Sequence, residues 1–340
     1  MRTTELPSPA MRVRRFSACL LLLVLVLLLT AGCRDRRPEP VRRTRMLMGT
    51  IVEVVAFGDR KPTLAAIDRA LDEMARIEEL MSPRRPGSDL ARLAAARDFV
   101  TLSPETARLL RLSLAINRRS GGAFDPTLGA LKRLWDIEGE HPAVPDEAAL
   151  RRALALTGPD RLLLDGDRAR VAAPGVGVDL GGIAKGYAID RAAAVLRQAG
   201  ITHASINAGG DLRLIGDRFG RPWRIGIQHP RRQGEMLAIL ELEDAAVVTS
   251  GDYERYFMAD GKRYHHIFDP ATGRPARGCQ SVTVVAGDAV RADALATAAF
   301  VLGPKRGLEL LRREGVEGVL VAADGRTLVT EGLKGRIQWR

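Results

Sequence analysis

Hydrophobic positions between residues 44 and 340 follow two periods, so both helices and strands are predicted. Apolar side chains three or four residues apart predict helices over residues 64–80, 90–96, 104–119, 146–156, 183–199, 289–302 and 305–314. Runs rich in β-branched residues predict strands over residues 46–57, 161–171, 204–207, 211–215, 223–228, 237–242, 247–249, 281–286, 318–322 and 327–330. The elements lack regular β-α-β spacing. We therefore expect an α+β fold, a single body with mixed, largely antiparallel sheets and packed helices.

Residues 1–32 have the pattern of a signal peptide. A basic stretch precedes the apolar run Phe16–Leu29, which has signal-peptide length and is short for a membrane span. Small residues stand just before Cys33, an arrangement similar to bacterial lipoprotein signals, in which that cysteine becomes the lipidated first residue. An uncleaved membrane anchor is the alternative. In both cases we expect the body outside the cytoplasm on a membrane, with the Arg-, Pro- and Glu-rich residues 33–43 as a flexible tether.

The other cysteines and the net charge bear on two further classes of protein. Cys19 lies in the leader and Cys33 takes lipid, which leaves Cys279 alone, so no disulfide scaffold is expected. The net charge of +11 falls to +8 without the leader, which has four arginines and one glutamate. The remaining charge is not concentrated in one block, and aromatic residues make up only 4% of the chain. Nucleic acid is therefore not expected as a partner.

Residues 178–190 combine Asp179, two adjacent glycines, Lys185 and Gly186 where a strand becomes a helix. Glycines allow close backbone approach, and a helix N-terminus attracts phosphate. The stretch fails both common nucleotide patterns, because its lysine precedes Gly186 and because Leu180 stands where a third dinucleotide-binding glycine belongs. A tight strand-to-helix turn and a phosphate site are both open interpretations.

A second polar pair lies in the predicted helix 289–302. Asp293 and Thr297 are four residues apart, hence on one face, among small or apolar neighbours. A carboxylate and a hydroxyl are hard oxygen ligands that suit Mg²⁺, which completes its shell with water and phosphate. An Asp N-cap followed by an incidental threonine is the alternative. The adjacent His265 and His266 would point to opposite faces of a strand, and their spacing does not suggest zinc.

Three loops allow both a structural and a functional interpretation. They are Ser120–Gly129, Asn207–Leu212 and His265–Pro275. The first is either a helix C-cap with a turn or a loop that stacks Phe124 on a planar ligand. The second is a strand bulge or a close approach of backbone to a ligand. The third is a strand leading into a turn or a source of site histidines.

Seven segments, in their order along the chain, resemble the ApbE-type FAD:protein FMN transferases. They are Met48–Thr50, Ser120–Asp125, Asp179–Gly186, Asn207–Asp211, Thr249–Asp252, His266–Pro270 and Ala292–Thr297. The resemblance covers about residues 44–335, and the lipoprotein leader fits it, so residues 44–340 are expected to be one transferase domain. It implies that FMN is cut from FAD with Mg²⁺, that AMP is released, and that FMN is attached through a phosphoester to a Ser or Thr hydroxyl of a target protein.

The resemblance also implies roles for individual residues. Those that would contact FAD are Met48, Ala123, Phe124, Asp125, Asp179, Lys185 and Ile267. Mg²⁺ would be held by the backbone carbonyl of Gly182 and by the side chains of Asp293 and Thr297. Arg84 departs from the family, whose members often have an aromatic residue there, although a guanidinium also stacks on a ring. His266 is our candidate for the residue near the acceptor hydroxyl, as its base.

The partners implied are FAD, the membrane through the N-terminal lipid, and extracytoplasmic flavoprotein subunits of membrane redox complexes. The protein is accordingly expected on the periplasmic side of a bacterial cell membrane. Two alternatives use the same features. A Mg²⁺-dependent FAD pyrophosphatase, in which water replaces the acceptor hydroxyl, needs the same site. A lipid-anchored flavin-binding protein without turnover explains the leader and the glycines but gives Asp293 and Thr297 no role.

Overall fold

The structure is a computed structural model in which residues 39–340 are described. Its strands are β1 (Pro40–Leu47), β2 (Thr50–Phe57), β3 (Val100–Thr101), β4 (Leu162–Asp165), β5 (Arg168–Val171), β6 (Ala204–Ala208), β7 (Asp211–Ile215), β8 (Trp223–Gln228), β9 (Met236–Leu242), β10 (Ala246–Gly251), β11 (Tyr256–Ala259), β12 (Lys262–His265), β13 (Phe268–Asp269), β14 (Arg274–Pro275), β15 (Cys279–Ala286), β16 (Glu317–Ala322), β17 (Thr327–Val329) and β18 (Ile337–Trp339). Its helices are α1 (Arg60–Met81), α2 (Asp89–Ala95), α3 (Pro104–Arg119), α4 (Gly129–Trp135), α5 (Glu147–Leu154), α6 (Ala184–Gln198), α7 (Ala289–Leu302) and α8 (Pro304–Arg313).

An eight-stranded sheet forms the centre of this α+β fold, which confirms the predicted fold class. Its order is β1-β2-β6-β7-β10-β15-β16-β17, and each neighbouring pair is antiparallel. One face packs against α1, α6 and α7 around the main hydrophobic core. The other face packs against the three-stranded sheet β18-β9-β8. The helices that carry the candidate site are thus held on one face of a sheet that is covered on both.

The central strands are hydrophobic on both faces because both faces are covered. Successive side chains of a strand point to opposite sides. On β15, Val282 and Val284 belong to the helix-side core, whereas Val285 belongs to the core beneath the small sheet. On β10, Val248 and Val247 divide in the same way. This explains why β15 is buried along nearly its whole length.

Side-chain caps fix where several helices begin. The Ser103 hydroxyl accepts a hydrogen bond from the Thr106 N–H, with Pro104 at the first helical position, as predicted. Asp146 caps α5 as predicted, accepting from the Ala149 N–H at 2.7 Å. Asp288 caps α7 through the Arg291 N–H at 2.9 Å. The cap on α7 is Asp288, so Asp293 lies a full turn inside the helix and the N-cap alternative for it is wrong.

The first strand begins earlier than the sequence pattern predicts. β1 starts at Pro40, so residues 40–43 belong to the sheet rather than to the predicted flexible tether. Val41 is buried, while Arg42 and Arg43 are exposed on this edge strand. Charged side chains are common on edge strands because they discourage pairing with other chains. The predicted leader 1–32, Cys33 and the rest of the tether lie outside the described residues.

Two elements near the candidate site have no counterpart among the predicted ones. They are α4 and the hairpin β11–β12. Trp135 at the end of α4 stacks on Tyr264 of β12 with ring centroids 5.5 Å apart and packs on Phe268. Its indole N–H donates to the Gly273 carbonyl at 2.8 Å. This small aromatic cluster fixes the hairpin against the body.

Within residues 39–340, no helix is both long enough and apolar enough to cross a bilayer.

Candidate active site

Helices α6 and α7 make a close contact at Gly186. A Cβ at this position would lie 2.2 Å from the Ala289 carbonyl oxygen and 2.9 Å from Asp293 Cβ, so only glycine permits the approach. The Gly186 N–H also donates to Asp293 Oδ2 at 2.9 Å. The contact joins two motifs that are 107 residues apart in the sequence. It places Lys185, in the first turn of α6, near Asp293.

Lys185 is a partly buried cation held between two carboxylates. Its Nζ donates to Asp211 Oδ2 at 2.6 Å, and Asp211 also accepts from the Thr249 N–H at 3.2 Å. Burial alone would lower the pKa of Lys185, but the charges of Asp211 and Asp293 raise it above its ordinary value. Lys185 is therefore protonated at any working pH. Asp211 lies in one of the seven segments, but no pattern in the sequence indicates its pairing with Lys185.

The three expected metal ligands lie on the adjoining faces of the α6 N-terminus and α7. A Cβ at Gly182 would lie 3.2 Å from Thr297 Oγ1, so the Gly182 backbone and the Thr297 hydroxyl are close neighbours. The Ser250 hydroxyl is 3.4 Å from the same Thr297 oxygen. Asp293 is buried, and burial together with the charge of Asp211 raises the pKa of Asp293 to about 7. The positive charge of Lys185 is thus too little to stabilise the ionised form of Asp293 fully.

This set of donors fits Mg²⁺. A carbonyl, a carboxylate and a hydroxyl are hard oxygen ligands, and Mg²⁺ takes few protein groups. When both are ionised, Asp211 and Asp293 carry one more negative charge than Lys185 neutralises, and a divalent cation would offset it. Among residues 39–340 no three His, Cys, Asp or Glu side chains cluster as metal ligands.

Asp179 is held by a lysine that sequence reasoning missed. Lys132 Nζ, on α4, lies 2.5 Å from Asp179 Oδ1, and the Gly181 N–H donates to the same oxygen at 2.7 Å. Burial would raise the pKa of Asp179, but the charge and hydrogen bond of Lys132 hold it below its ordinary value. The charge of Lys132 also acts on Asp293 and on His266. Lys132 therefore lies among the residues that the sequence does single out.

The loop Ser120–Asp125 supports the glycine pair from another side. Phe124 is buried, and its ring edge lies 3.2 Å from where a Cβ on Gly182 would stand. The ring is therefore a core side chain in this structure and not an exposed stacking surface. Ala123 and Asp125 are also buried. Asp125 Oδ1 accepts hydrogen bonds from the Thr127 N–H at 2.7 Å and from the Thr127 hydroxyl at 2.6 Å. Burial raises the pKa of Asp125. The FAD contacts implied for these three residues stay a prediction.

Met48 and Gly49 form the turn that joins β1 to β2. Both have positive φ, 52° and 71°, as a two-residue hairpin turn of the primed type requires. The Met48 N–H donates to Glu78 Oε2 at 2.7 Å. A Cβ on Gly49 would lie 3.9 Å from Arg255 Nη2. The turn therefore reaches the edge of the site through Arg255, the residue before β11.

Only one of the two adjacent histidines can serve the site. His265 is buried and its Nε2 bonds to the Ala276 carbonyl at 2.7 Å. His266 follows β12, and its Nδ1 is 3.3 Å from the Arg255 carbonyl, to which it must donate, so Nε2 keeps its lone pair. Burial, followed by the charges of Lys132 and Arg255, lowers the pKa of His266 to about 3, so the ring is neutral. Ile267 is buried, with its carbonyl accepting from the Ala276 N–H.

Two salt bridges of Glu138 join three loops beside the site. Glu138 accepts from Arg255 Nη1 at 2.7 Å through Oε1 and from Arg84 Nη2 at 3.2 Å through Oε2. Burial would raise the pKa of Glu138, but the two arginines and Lys132 lower it. The Arg84 side chain is 78% exposed. Arg84 thus lies at the rim, where it pairs with Glu138, and stacking on a flavin remains a prediction for it.

Together the described residues form a lysine-rich, oxygen-lined site on the helix side of an antiparallel α+β fold. The chain belongs to the ApbE family, whose pattern matches residues 48–320. Among curated proteins, the FAD:protein FMN transferase of Treponema pallidum is 34% identical over 342 residues, which covers 93% of this chain and 94% of that protein. The FAD:protein FMN transferase of Vibrio cholerae is 35% identical and covers 87% of this chain and 91% of that protein.

Solved structures agree with this assignment. The crystal structure of the ApbE protein from Thermotoga maritima matches with a TM-score of 0.83 and 37% identity, over 88% of this chain and 99% of that one. The flavin transferase ApbE from Vibrio cholerae matches with a TM-score of 0.78 and 32% identity, over 88% of this chain and 99% of that one. The predicted family and the predicted single body are both confirmed.

Proposed function

We propose that this protein transfers FMN from FAD to a hydroxyl group of an acceptor protein and releases AMP. Its relatives over nearly the whole chain are FAD:protein FMN transferases. The observation that carries the proposal is the meeting of Lys185, Gly182, Asp293 and Thr297 at the contact of α6 with α7. Phosphoryl transfer asks a protein mainly for positioning and for neutralisation of charge, and this arrangement supplies both.

In the proposed reaction, the oxygen of a Ser or Thr hydroxyl attacks the phosphorus atom of the FMN half of FAD. A phosphoester bond forms, the bond from that phosphorus to the bridging oxygen breaks, and AMP leaves with this oxygen. The hydroxyl proton goes to Nε2 of His266, whose Nδ1–H is fixed on the Arg255 carbonyl. The low pKa of His266 in the free protein would rise beside a negatively charged pyrophosphate.

The Gly182 carbonyl, Asp293 and Thr297 would hold Mg²⁺, which when bound neutralises charge on the phosphate oxygens. Lys185 supplies a second positive charge that is fixed in place, because Asp211 pairs with it at 2.6 Å. Lys132 holds Asp179 at the mouth of the glycine turn. These residues are aligned before substrate arrives, so little reorganisation is needed in the transition state.

We further propose that Cys33 carries lipid and holds the protein on the periplasmic side of a bacterial cell membrane. The basic and apolar leader and the small residues before Cys33 support this. The acceptors would then be extracytoplasmic flavoprotein subunits of membrane redox complexes. Growing cells with a radiolabelled fatty acid should label the wild-type protein, and Cys33→Ala should abolish both the label and membrane association. Label that persists in this variant would contradict the assignment.

The transfer reaction is tested with FAD, Mg²⁺ and the flavin-free form of a covalent-FMN subunit from the same organism. Flavin fluorescence of the acceptor in a denaturing gel and AMP release should both appear with the wild-type protein. Both should disappear without Mg²⁺ and in Asp293→Ala. Free FMN with an unlabelled acceptor would instead favour a pyrophosphatase. Absence of AMP in every reaction would favour a flavin-binding protein without turnover.

A further inference from the structure

Two lysines from different helices lie at the glycine turn of residues 179–182. Lys185 follows the turn on α6 and is paired with Asp211. Lys132 reaches the turn from α4, since a Cβ on Gly181 would lie 3.0 Å from Lys132 Nζ. Adjacent Cα atoms are about 3.8 Å apart, so this ammonium group lies within about 8 Å of the Gly182 Cα. It is therefore close to a backbone carbonyl that we propose as a metal ligand.

The backbone that carries Lys132 is fixed against the segment that leads into the turn. The Asp179 N–H donates to the Pro126 carbonyl at 2.8 Å, and the Gly129 N–H donates to the Gly177 carbonyl at 2.9 Å. A Cβ on Gly129 would lie 2.7 Å from the Gly177 backbone, so only glycine permits this approach. The other end of α4 is anchored in the aromatic cluster through the indole N–H of its last residue. Lys132, between these two anchors, is thus held over the turn by backbone contacts.

The pairing of Lys132 leaves part of its ammonium group free. Among residues 39–340, Asp179 is the only carboxylate within 4.0 Å of Lys132 Nζ, at 2.5 Å, and its same oxygen also accepts from the Gly181 N–H. Glu138, a further carboxylate nearby, is engaged by two arginines. A lysine ammonium has three N–H donors. Because the Lys132 side chain is 33% exposed, the donors that Asp179 does not use are open to a ligand.

Lys132 is close to both halves of the candidate site. Burial is the main cause of the shifted pKa values of Asp293 and His266, and the charge of Lys132 contributes to both by lowering them. Asp293 belongs to the expected metal ligands, whereas His266 is the proposed base for the acceptor hydroxyl. In the proposed reaction the phosphate of the FMN half lies between these two groups. A cation that acts on both is well placed to contact that phosphate.

We propose that Lys132 binds a phosphate oxygen of FAD and is the second phosphate-binding lysine of the site, beside Lys185. Asp179 holds the ammonium group over the glycine turn through one N–H, and another N–H donates to the phosphate. The pyrophosphate is then held from α4 as well as from α6. The inference rests on the proposed function. It gives a substrate contact to a residue that lies outside the seven sequence segments.

The test compares two neutral variants, Lys132→Met and Lys132→Gln, with Lys132→Arg, which keeps the positive charge. The matched control is Lys305→Met, because Lys305 is exposed on α8 and makes no ion pair within the described part of the chain. Stopped-flow flavin fluorescence with FAD and MgCl₂, without acceptor, gives the Kd for FAD. Thermal unfolding checks that each variant folds. The neutral variants should raise this Kd at least tenfold, whereas Lys132→Arg and Lys305→Met should stay within threefold of the wild type.

The affinity for Mg²⁺ separates a phosphate contact from mere support of the turn. Calorimetric titration of the FAD-free variants with MgCl₂ measures it. If Lys132 binds phosphate, its neutral variants should keep the Mg²⁺ affinity of the wild type or increase it, because a nearby positive charge is removed. If Lys132 only supported the turn, the Gly182 carbonyl would shift, and Mg²⁺ affinity would fall together with FAD affinity. That result would overturn the proposal.

The remaining results separate this inference from the proposed function. Labelling of the acceptor by the wild-type protein, with an unchanged Kd for FAD in both neutral variants, would overturn the phosphate contact alone. An equal loss of FAD affinity in Lys305→Met would also overturn it, because a general loss of positive charge would then explain the effect. A wild-type protein that binds no FAD would overturn the proposed function and the phosphate contact together.

Discussion

Lys185 Nζ lies 2.6 Å from Asp211 Oδ2, so the main cation of the candidate site is paired before any substrate binds. Asp293 acts on the same ammonium group and hydrogen-bonds the next residue, Gly186. When Asp211 and Asp293 are both ionised, the three groups together carry a net charge of −1. A divalent cation at Asp293 would change this to +1, which suits a pyrophosphate. The pair therefore makes the charge of the site depend on the metal.

Removing Asp211 should destabilise the protein. Asp211→Ala leaves the Lys185 ammonium largely buried without its partner, and such a loss costs roughly 3 kcal/mol in the free energy of unfolding. Lys185→Met with Asp211→Leu should regain part of this, because both members of the ion pair are replaced, although Asp293 then loses the neighbouring ammonium group. Urea unfolding of the three proteins measures it. An Asp211→Ala variant as stable as the wild type would mean that the ion pair contributes nothing.

Gly186→Ala should separate α6 from α7. The added methyl group would meet the Ala289 carbonyl oxygen at 2.2 Å, and relief of such a clash by backbone movement costs about 1–3 kcal/mol. Gly287→Ala is the matched control, since a Cβ there meets nothing within 4 Å. Thermal unfolding should show a lower midpoint for Gly186→Ala only. Equal midpoints for the two variants would contradict the close contact.

The motifs of the site could be predicted from the sequence because each is local. Asp293 and Thr297 share a helix face by their spacing, and the glycine stretch at 178–190 shows its turn in its composition. The pairing of Lys185 with Asp211 could not be predicted this way. The pairing depends on how α6 packs against β7, and the hydrophobic periodicity of the sequence does not determine that packing.

Lys132 and the β11–β12 hairpin illustrate a second limit. α4 is seven residues long, too short for a helical period, and a single lysine gives no signal of its own. The hairpin has apolar residues on both faces, so its alternation is hidden. The prediction of a tether over residues 40–43 was wrong for a different reason. Their arginines resemble a solvated segment, although Val41 is buried in the sheet.

The hydroxyl of Thr297 should be required for metal binding. Thr297→Val keeps the shape of the side chain and removes one hard oxygen ligand, so we expect Mg²⁺ affinity to fall at least tenfold, equivalent to about 1.4 kcal/mol. Thr297→Ser restores the oxygen and should restore most of the affinity. Calorimetric titration of the free protein with MgCl₂ measures this without any turnover. Equal affinity in the valine variant would remove Thr297 from the ligand set.

His266 gives the stability of the protein a predictable pH dependence. Its pKa is about 3 in the folded chain, against an ordinary value of 6.5. The unfolded chain therefore takes up this proton at higher pH than the folded chain does. The stability contributed by neutral His266 is complete above pH 6.5 and is lost as the pH falls from 6.5 toward 3. The slope from this one group is at most about 1.4 kcal/mol per pH unit.

Comparing the wild type with His266→Gln isolates that slope. The free energy of unfolding, measured in urea between pH 7 and pH 4.5, should fall more steeply for the wild type. The difference in slope should be at most about 1.4 kcal/mol per pH unit, the value for one proton. Asp125 and Asp293, whose pKa values are raised by burial, bind protons in the folded state and act in the opposite direction. They are present in both proteins and cancel in the comparison. Parallel pH profiles would show that folding does not lower the pKa of His266.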